Sequence, residues 1–200
     1  MFAVLHALRI RGFATAEALA ESTGLDPGVV AEDLAAMAAD GLVVHRDGRV
    51  SGWRLTEDGT ALHGELLMAN TDDHAAVERF QQAFFDLNAE MKQICTDWQV
   101  KPGAEVVLND HADPAYDAAV VARLGALDDQ VGPPLTTLAG AEARFGTYGP
   151  RLAAARRRFE AGEHDALAKP LAGSYHDAWM ELHQDLLLTL GRERDERDGH

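Results

Sequence analysis

Three groups of residues in this chain have the types and spacings that chemistry needs. His111, Asp113 and Asp117 cluster before and inside a predicted helix, and His176 and His183 lie seven positions apart on another. Two helical turns put His176 and His183 on one side but about 10.5 Å apart along the axis, too far for an adjacent ligand pair. Either one, joined to His111 and Asp113, would make a three-ligand metal site. The plainer reading makes each imidazole a hydrogen-bonded, partly buried group beside Tyr175 and Trp179. A third reading is a metal-free pocket. Trp98, Tyr116, Tyr175 and Trp179 offer amphipathic surfaces, with Asn88, Asp97, Asn109 and Asp110 near them in sequence and His111, His176 and His183 at their margins. Such a pocket would take a small-molecule effector, cationic or hydroxyl-rich rather than anionic.

The remaining reactive types suggest less. Cys95 is the only cysteine, which excludes an intramolecular disulfide and a four-cysteine zinc site; on the apolar side of a helix it reads as core. Ser174 and His176 are too close in sequence to face each other. There is no nucleophile elbow, nucleotide-binding glycine loop or HExxH motif, so the chain reads as noncatalytic and without a cofactor. Arg144, Arg151, Arg156, Arg157 and Arg158 form the one basic concentration. They would touch phosphate or, more simply, pair with Glu160, Glu163 or Asp185.

The formal charge is -15, with five Lys/Arg against ten Asp/Glu in residues 1–70, four against twelve in 71–130 and nine against eleven in 131–200. This acidity disfavours nonspecific duplex binding, which depends on neutralising phosphates, but leaves room for a local basic face. No apolar run approaches a membrane span, and the first residues carry no basic leader with a cleavage site. The expectation is a cytoplasmic protein with no membrane contact.

The elements that must position these groups follow from caps and periodicity. Residues 2–11 read as a helix stopped by Gly12, and Thr15 caps a second. Asp26 and Pro27 open a third, whose buried stripe is Val30, Leu34 and Met37 and whose end is Gly41. Leu42-Val43-Val44-His45 and the run from Val50 to Leu55 flank Asp47-Gly48, a hairpin signal. Thr56 then caps a helix running toward Met68. The order helix, helix, helix, hairpin, helix resembles bacterial winged-helix regulators of the MarR-like broad class. Residues 15–25 resemble their second helix and turn, residues 26–40 their recognition helix, and Leu55-Thr56-Glu57-Asp58-Gly59 the close of their wing. The resemblance implies a DNA-binding transcriptional regulator. It also allows a protein-binding module, because winged helices serve both.

A recognition helix reads base edges with hydrogen-bonding side chains. Residues 26–40 contain no basic residue, and their outward candidates are Gly28, Ala31, Glu32, Ala35, Ala36 and Ala39; only Glu32 could touch a base, as an acceptor. Arg46, Arg49 and Arg54 in and beside the wing, and Arg11 at the end of the first helix, are the other DNA-contact candidates.

The fold class expected is mainly α: a winged helix-turn-helix over residues 1–70, an all-helical ligand-sensing or dimerisation domain over 71–191, and a frayed polar tail over 192–200. In the second part a helix spans 74–96. Residues 98–113 are loop-like, with Val106-Val107-Leu108 as a buried strand or helical turn. Further helices run from 113 or 114 to 127, from Pro133-Pro134, over 150–163 and over 174–190. The residues Asn88, Cys95-Thr96-Asp97-Trp98-Gln99, Asn109-Asp110-His111-Ala112-Asp113, Tyr116-Asp117, Ser174-Tyr175-His176, Trp179 and Glu181-Leu182-His183 together resemble a helical extension of actinobacterial pyruvate, phosphate dikinase-like enzymes and their stand-alone regulators. The chain is too short for dikinase catalytic domains, so this resemblance implies an accessory role. The leading expectation is a homodimeric regulator that binds double-stranded DNA. The alternative is a noncatalytic module with a protein partner, regulating a phosphotransfer enzyme.

Overall fold

A computed structural model of the protein describes residues 1–49, 51–103 and 106–193. The chain divides into two compact units, one spanning Met1–Asp72 and a second beginning at Asp73. No helix among the described residues is long and apolar enough to cross a membrane.

The first unit runs α1 (Phe2–Arg11), α2 (Ala16–Thr23), α3 (Pro27–Ala39), β1 (Val43–Arg46), β2 (Gly52–Leu55) and α4 (Glu57–Ala69). Its helices begin where side chains satisfy the orphan amides of the first turn. Thr15 accepts from Ala18 N–H, Asp26 from Gly28 N–H and Thr56 from Gly59 N–H. Val30, Leu34 and Met37 are at most 1% exposed and meet Val4, Leu5, Leu8 and Leu19 in one core. The wing is looser than Asp47-Gly48 suggests. Arg46 pairs with Gly52, so Asp47 to Ser51 form a five-residue connection, of which Val50 lies outside the described residues. Ala14 adds a one-residue third strand, exchanging both backbone hydrogen bonds with Trp53 at 3.1 and 2.8 Å.

Two contacts lock this unit. The Leu42 carbonyl accepts from the Thr56 amide at 3.0 Å and the Thr56 hydroxyl at 3.1 Å. A Cβ added to Gly59 would lie 2.0 Å from that same oxygen, so the glycine of Leu55-Thr56-Glu57-Asp58-Gly59 is a packing requirement. The second contact is between imidazoles. His6 Nδ1 and His63 Nε2 are 2.9 Å apart, with both rings buried, joining α1 to α4.

The second unit is helical except for one short hairpin: α5 (His74–Gln99), β3 (Val100–Lys101), β4 (Val107–Leu108), α6 (Pro114–Ala141), a 3-10 turn (Ala143–Thr147), α7 (Tyr148–Glu160), α8 (Asp165–Ala168) and α9 (Tyr175–Thr189). Asp113 caps α6, and a Ser174–Asp177 capping box starts α9. Two expectations are corrected. Pro133-Pro134 does not start a helix but lies inside α6. Gly132, preceding Pro133, has no Cβ to clash with the ring, and buried Val131, Leu135 and Leu138 carry the helix past the lost donors. Val106, Val107 and Leu108 are not buried; they are 85, 52 and 73% exposed on the hairpin arm. At the far end Arg192 is tied down, bonding Gln81 and, at 2.6 Å, Glu78. The rest of the expected tail, residues 194–200, lies outside the described residues.

Gly59 and Gly64 share α4 and give opposite predictions. G59A forces a side chain into the Leu42 backbone. The clash outweighs the roughly 1 kcal/mol gain in helix propensity and destabilises the first unit by about 2 kcal/mol or more. G64A, with nothing within 4 Å of the added Cβ, stabilises it by about 0.5–1 kcal/mol. Urea denaturation of both variants measures the contrast.

Candidate functional site

The surface of α3 follows from its sequence. With Val30, Leu34 and Met37 turned inward, the helix exposes Gly28, Val29, Ala31, Glu32, Ala35, Ala36 and Ala39, none with a side-chain donor. Asp33 is held by the Met1 ammonium at 2.6 Å. The strand register sets Val44 opposite Arg54, which places Arg46 and Arg54 on one face of the hairpin, with Arg49 in the connecting loop. All three arginines are exposed, and no ion pair among the described residues holds them. The wing's one acid, Asp47, sits 3.2 Å from His45. Arg11 is less available: half-buried, it donates to Ser22 Oγ at 2.8 Å. Three of the first unit's five arginines, all exposed, therefore sit in the hairpin, beside a helix whose exposed surface is mostly alanine and carries no cation.

In the second unit the expected pocket residues fall into two sets. Trp98, Asn109, His111 and Tyr116 come together where α5 ends, the hairpin returns and α6 begins. Asn109 is buried and donates to the Trp98 carbonyl at 3.2 Å and to Asp117 Oδ1 at 2.9 Å. His111 Nδ1 lies 3.0 Å from Asp117 Oδ2, its backbone in the left-handed region at φ 57°. Its ring stands 4.5 Å from Trp98 and 5.0 Å from His164, a residue the sequence did not single out. The Tyr116 hydroxyl donates to the Asp97 carbonyl at 2.7 Å. Burial alone would push the Asp117 carboxyl up, but hydrogen bonds from Asn109 and His111 outweigh it, and its pKa falls below the ordinary value. An Asp–His pair of this form orients one imidazole and fixes the nitrogen that faces outward.

Tyr175, Trp179 and His183 belong to the other set and line no open pocket, because each is fully buried. Trp179 Nε1 donates to Asn88 Oδ1 at 2.9 Å and its ring stacks on Phe84 at 4.6 Å. The His183 ring lies 5.3 Å from Phe84, and the Tyr175 hydroxyl donates to Asp128 at 3.0 Å. His176 is half-buried, and desolvation lowers its pKa. The carboxylate of Asp113 is committed to the Ala115 and Tyr116 amides. The proposed metal set of His111, Asp113, His176 and His183 thus has two members engaged in core packing or capping. Among the described residues no three His, Cys, Asp or Glu side chains are placed to hold a metal ion.

Most of the basic concentration is spent on carboxylates. Arg144 contacts Glu142 and Asp185, Arg151 contacts Glu181, Arg156 contacts Asp128, Asp129 and Glu160, and Arg158 contacts Glu163. Glu160, Glu163 and Asp185 are the expected partners, while Glu181 and Asp128 enter only through helix packing, 30 and 28 residues from their arginines. Two clefts open on α6. One of about 380 Å³ lies against α7 and is walled by Val131, Leu135, Phe145 and Leu152. One of about 200 Å³ lies against α5, beside Phe80 and Leu138.

No protein-family model matches the chain, and neither a curated protein nor a solved structure matches it. The architecture is that of a winged-helix-like module able to contact protein or nucleic acid, followed by a helical domain.

Burial pushes the Cys95 thiol up to about 12, leaving almost no thiolate near neutrality. A disulfide reagent at pH 8 should label the native chain about a thousandfold more slowly than the urea-unfolded chain. Comparable rates would show that Cys95 is an accessible, reactive thiol.

Proposed function

We propose that this chain is a noncatalytic, homodimeric transcriptional regulator of the cytoplasm whose winged-helix unit contacts double-stranded DNA mainly through the wing. The supporting observation is the contrast among arginines. Arg46, Arg49 and Arg54 are exposed with no ion pair among the described residues, whereas Arg123, Arg144, Arg151, Arg156 and Arg158 are committed to carboxylates. Exposed cations on a hairpin can displace counterions from phosphates or enter a minor groove. On this reading α3 packs in the major groove by shape, and base discrimination by its side chains is weak. The second unit serves for dimerisation and effector sensing.

One feature favours a second reading, in which α3 docks on a protein, such as a phosphotransfer enzyme. Val29 is 45% exposed within an alanine-rich surface that allows close helix approach. The readings part on two variants. Under DNA contact, R46A/R49A weakens binding by about tenfold or more across unrelated duplexes, and A35K strengthens it. Under protein contact, neither changes duplex affinity, and A35K weakens the partner complex. Fluorescence anisotropy on two unrelated duplexes measures the difference.

A further inference from the structure

The second unit holds a pair of imidazoles that DNA contact does not require. His111 and His164 stand with ring centroids 5.0 Å apart, one on the segment between β4 and α6, the other just before α8. Trp98, 8% exposed, closes the inner side, its ring 4.5 Å from His111 and 5.0 Å from His164. The outer side is open: the His111 side chain is 32% exposed, and His164 is exposed.

The two rings are held differently, and the difference suits a metal ion. His111 Nδ1 lies 3.0 Å from Asp117 Oδ2, while the buried Asn109 amide donates to Asp117 Oδ1 at 2.9 Å. The Asn109 nitrogen also comes within 3.2 Å of Nδ1, but an ionised carboxylate only accepts, so the ring proton belongs on Nδ1 and Nε2 carries a lone pair. A carboxylate behind an imidazole is the usual support of a metal-ligating histidine, fixing its tautomer and aiming the other nitrogen. His164 has no such brace. No hydrogen bond among the described residues fixes its ring, so it can turn a nitrogen toward the same point.

The spacing fits one shared ion. An imidazole nitrogen binds a divalent ion at about 2.0–2.1 Å, which puts the ring centroid roughly 3.2 Å from the ion. Two centroids 5.0 Å apart then subtend about 100° at the ion, between the octahedral and tetrahedral angles. The local charge favours a cation as well. Asp110, Asp113 and Asp117 surround His111 in sequence, and the nearby ammonium of Lys101 is taken up by Asp110 at 3.0 Å.

We infer that His111 and His164 form a two-imidazole site for a divalent transition-metal ion of the Ni²⁺, Cu²⁺ and Zn²⁺ class, with Asp117 orienting His111 and water completing the coordination. Imidazole suits these ions, whereas Mg²⁺ and Ca²⁺ demand oxygen ligands. Two protein ligands make the ion exchangeable rather than structural, since structural sites use four. The site stands whether or not the first unit contacts DNA.

The test is calorimetric titration of the full chain with NiCl₂ near neutral pH, with tryptophan fluorescence followed in parallel. The expected result is one Ni²⁺ per chain and quenching of Trp98, which packs against both imidazoles. H164Q alters an exposed residue and should weaken binding about tenfold or more. H111N should do the same, Asn being tolerant of the left-handed backbone at this position (φ 57°). In W98F the quenching disappears while calorimetric binding stays, and MgCl₂ gives neither signal. D117N lets an amide donate to His111 Nδ1, moving the ring proton to Nε2; the imidazole ¹⁵N shifts report that change, and affinity falls about tenfold with it. Absence of Ni²⁺ binding, binding unchanged in H164Q, or half an ion per chain overturns the inference. If H111N fails to fold, H164Q decides alone. A changed tautomer in D117N without loss of affinity overturns the orienting role of Asp117.

Discussion

The winged-helix unit depends on how closely α4 approaches the backbone that leaves α3. The Leu42 carbonyl takes both the amide and the hydroxyl of Thr56, and the Thr56 hydroxyl also reaches the Gly41 carbonyl at 2.8 Å. The third residue beyond Thr56 must then be glycine, because a Cβ at position 59 would collide with that carbonyl. One short segment thereby fixes the end of α3, both roots of the hairpin and the first turn of α4. The Ala14–Trp53 bridge ties the other edge of the hairpin to the segment between α1 and α2. The wing is held at its base even though its five-residue tip is long.

That framework makes the charge distribution meaningful. A rooted hairpin presents Arg46 and Arg54 from one face in a fixed register, while α3 presents alanines and Glu32. Phosphate contact by flexible arginines scattered over an acidic surface would be weak; three carried by one anchored element act together. In the second unit most arginines pair with carboxylates, and Arg144 closes onto buried Glu142 and Asp185, where breaking a pair leaves an uncompensated charge; Arg157 is exposed. The pairs of Arg144 with Asp185, Arg151 with Glu181 and Arg156 with Asp128 are cross-links between separate elements, so net charge by segment is a poor guide to which cations are available.

What was legible in the sequence was mostly local. Thr15, Asp26 and Thr56 cap the helices they announce, and the helix starts expected at Asp113 and Ser174 are capped by those residues, because capping depends on the next few residues. The buried stripe of α3 followed from its 3.6-residue period. Features decided by distant residues were not legible. Pro133-Pro134 looked like a boundary, and only the packing around Val131 and Leu135 shows why the helix continues. Tyr175 and Trp179 looked like pocket walls because aromatic residues suit both pocket and core; partners 47 and 91 residues away, Asp128 and Asn88, decide for core. The neighbourhood of Trp98, Asn109, His111 and Tyr116 was legible because a short hairpin brings it together, but His164 arrives from a separate turn. The His6–His63 bond, spanning 57 positions, left no signal in spacing or composition.

The central claim is that the hairpin arginines carry any affinity this chain has for a duplex. The most direct measurement is the salt dependence of binding to a duplex of random sequence. Three phosphate contacts for each chain predict a slope of log K against log salt of about -3 per bound chain. A slope twice as steep would require cations the wing does not hold, and no binding at low salt would place the function of α3 and the wing with a protein partner instead.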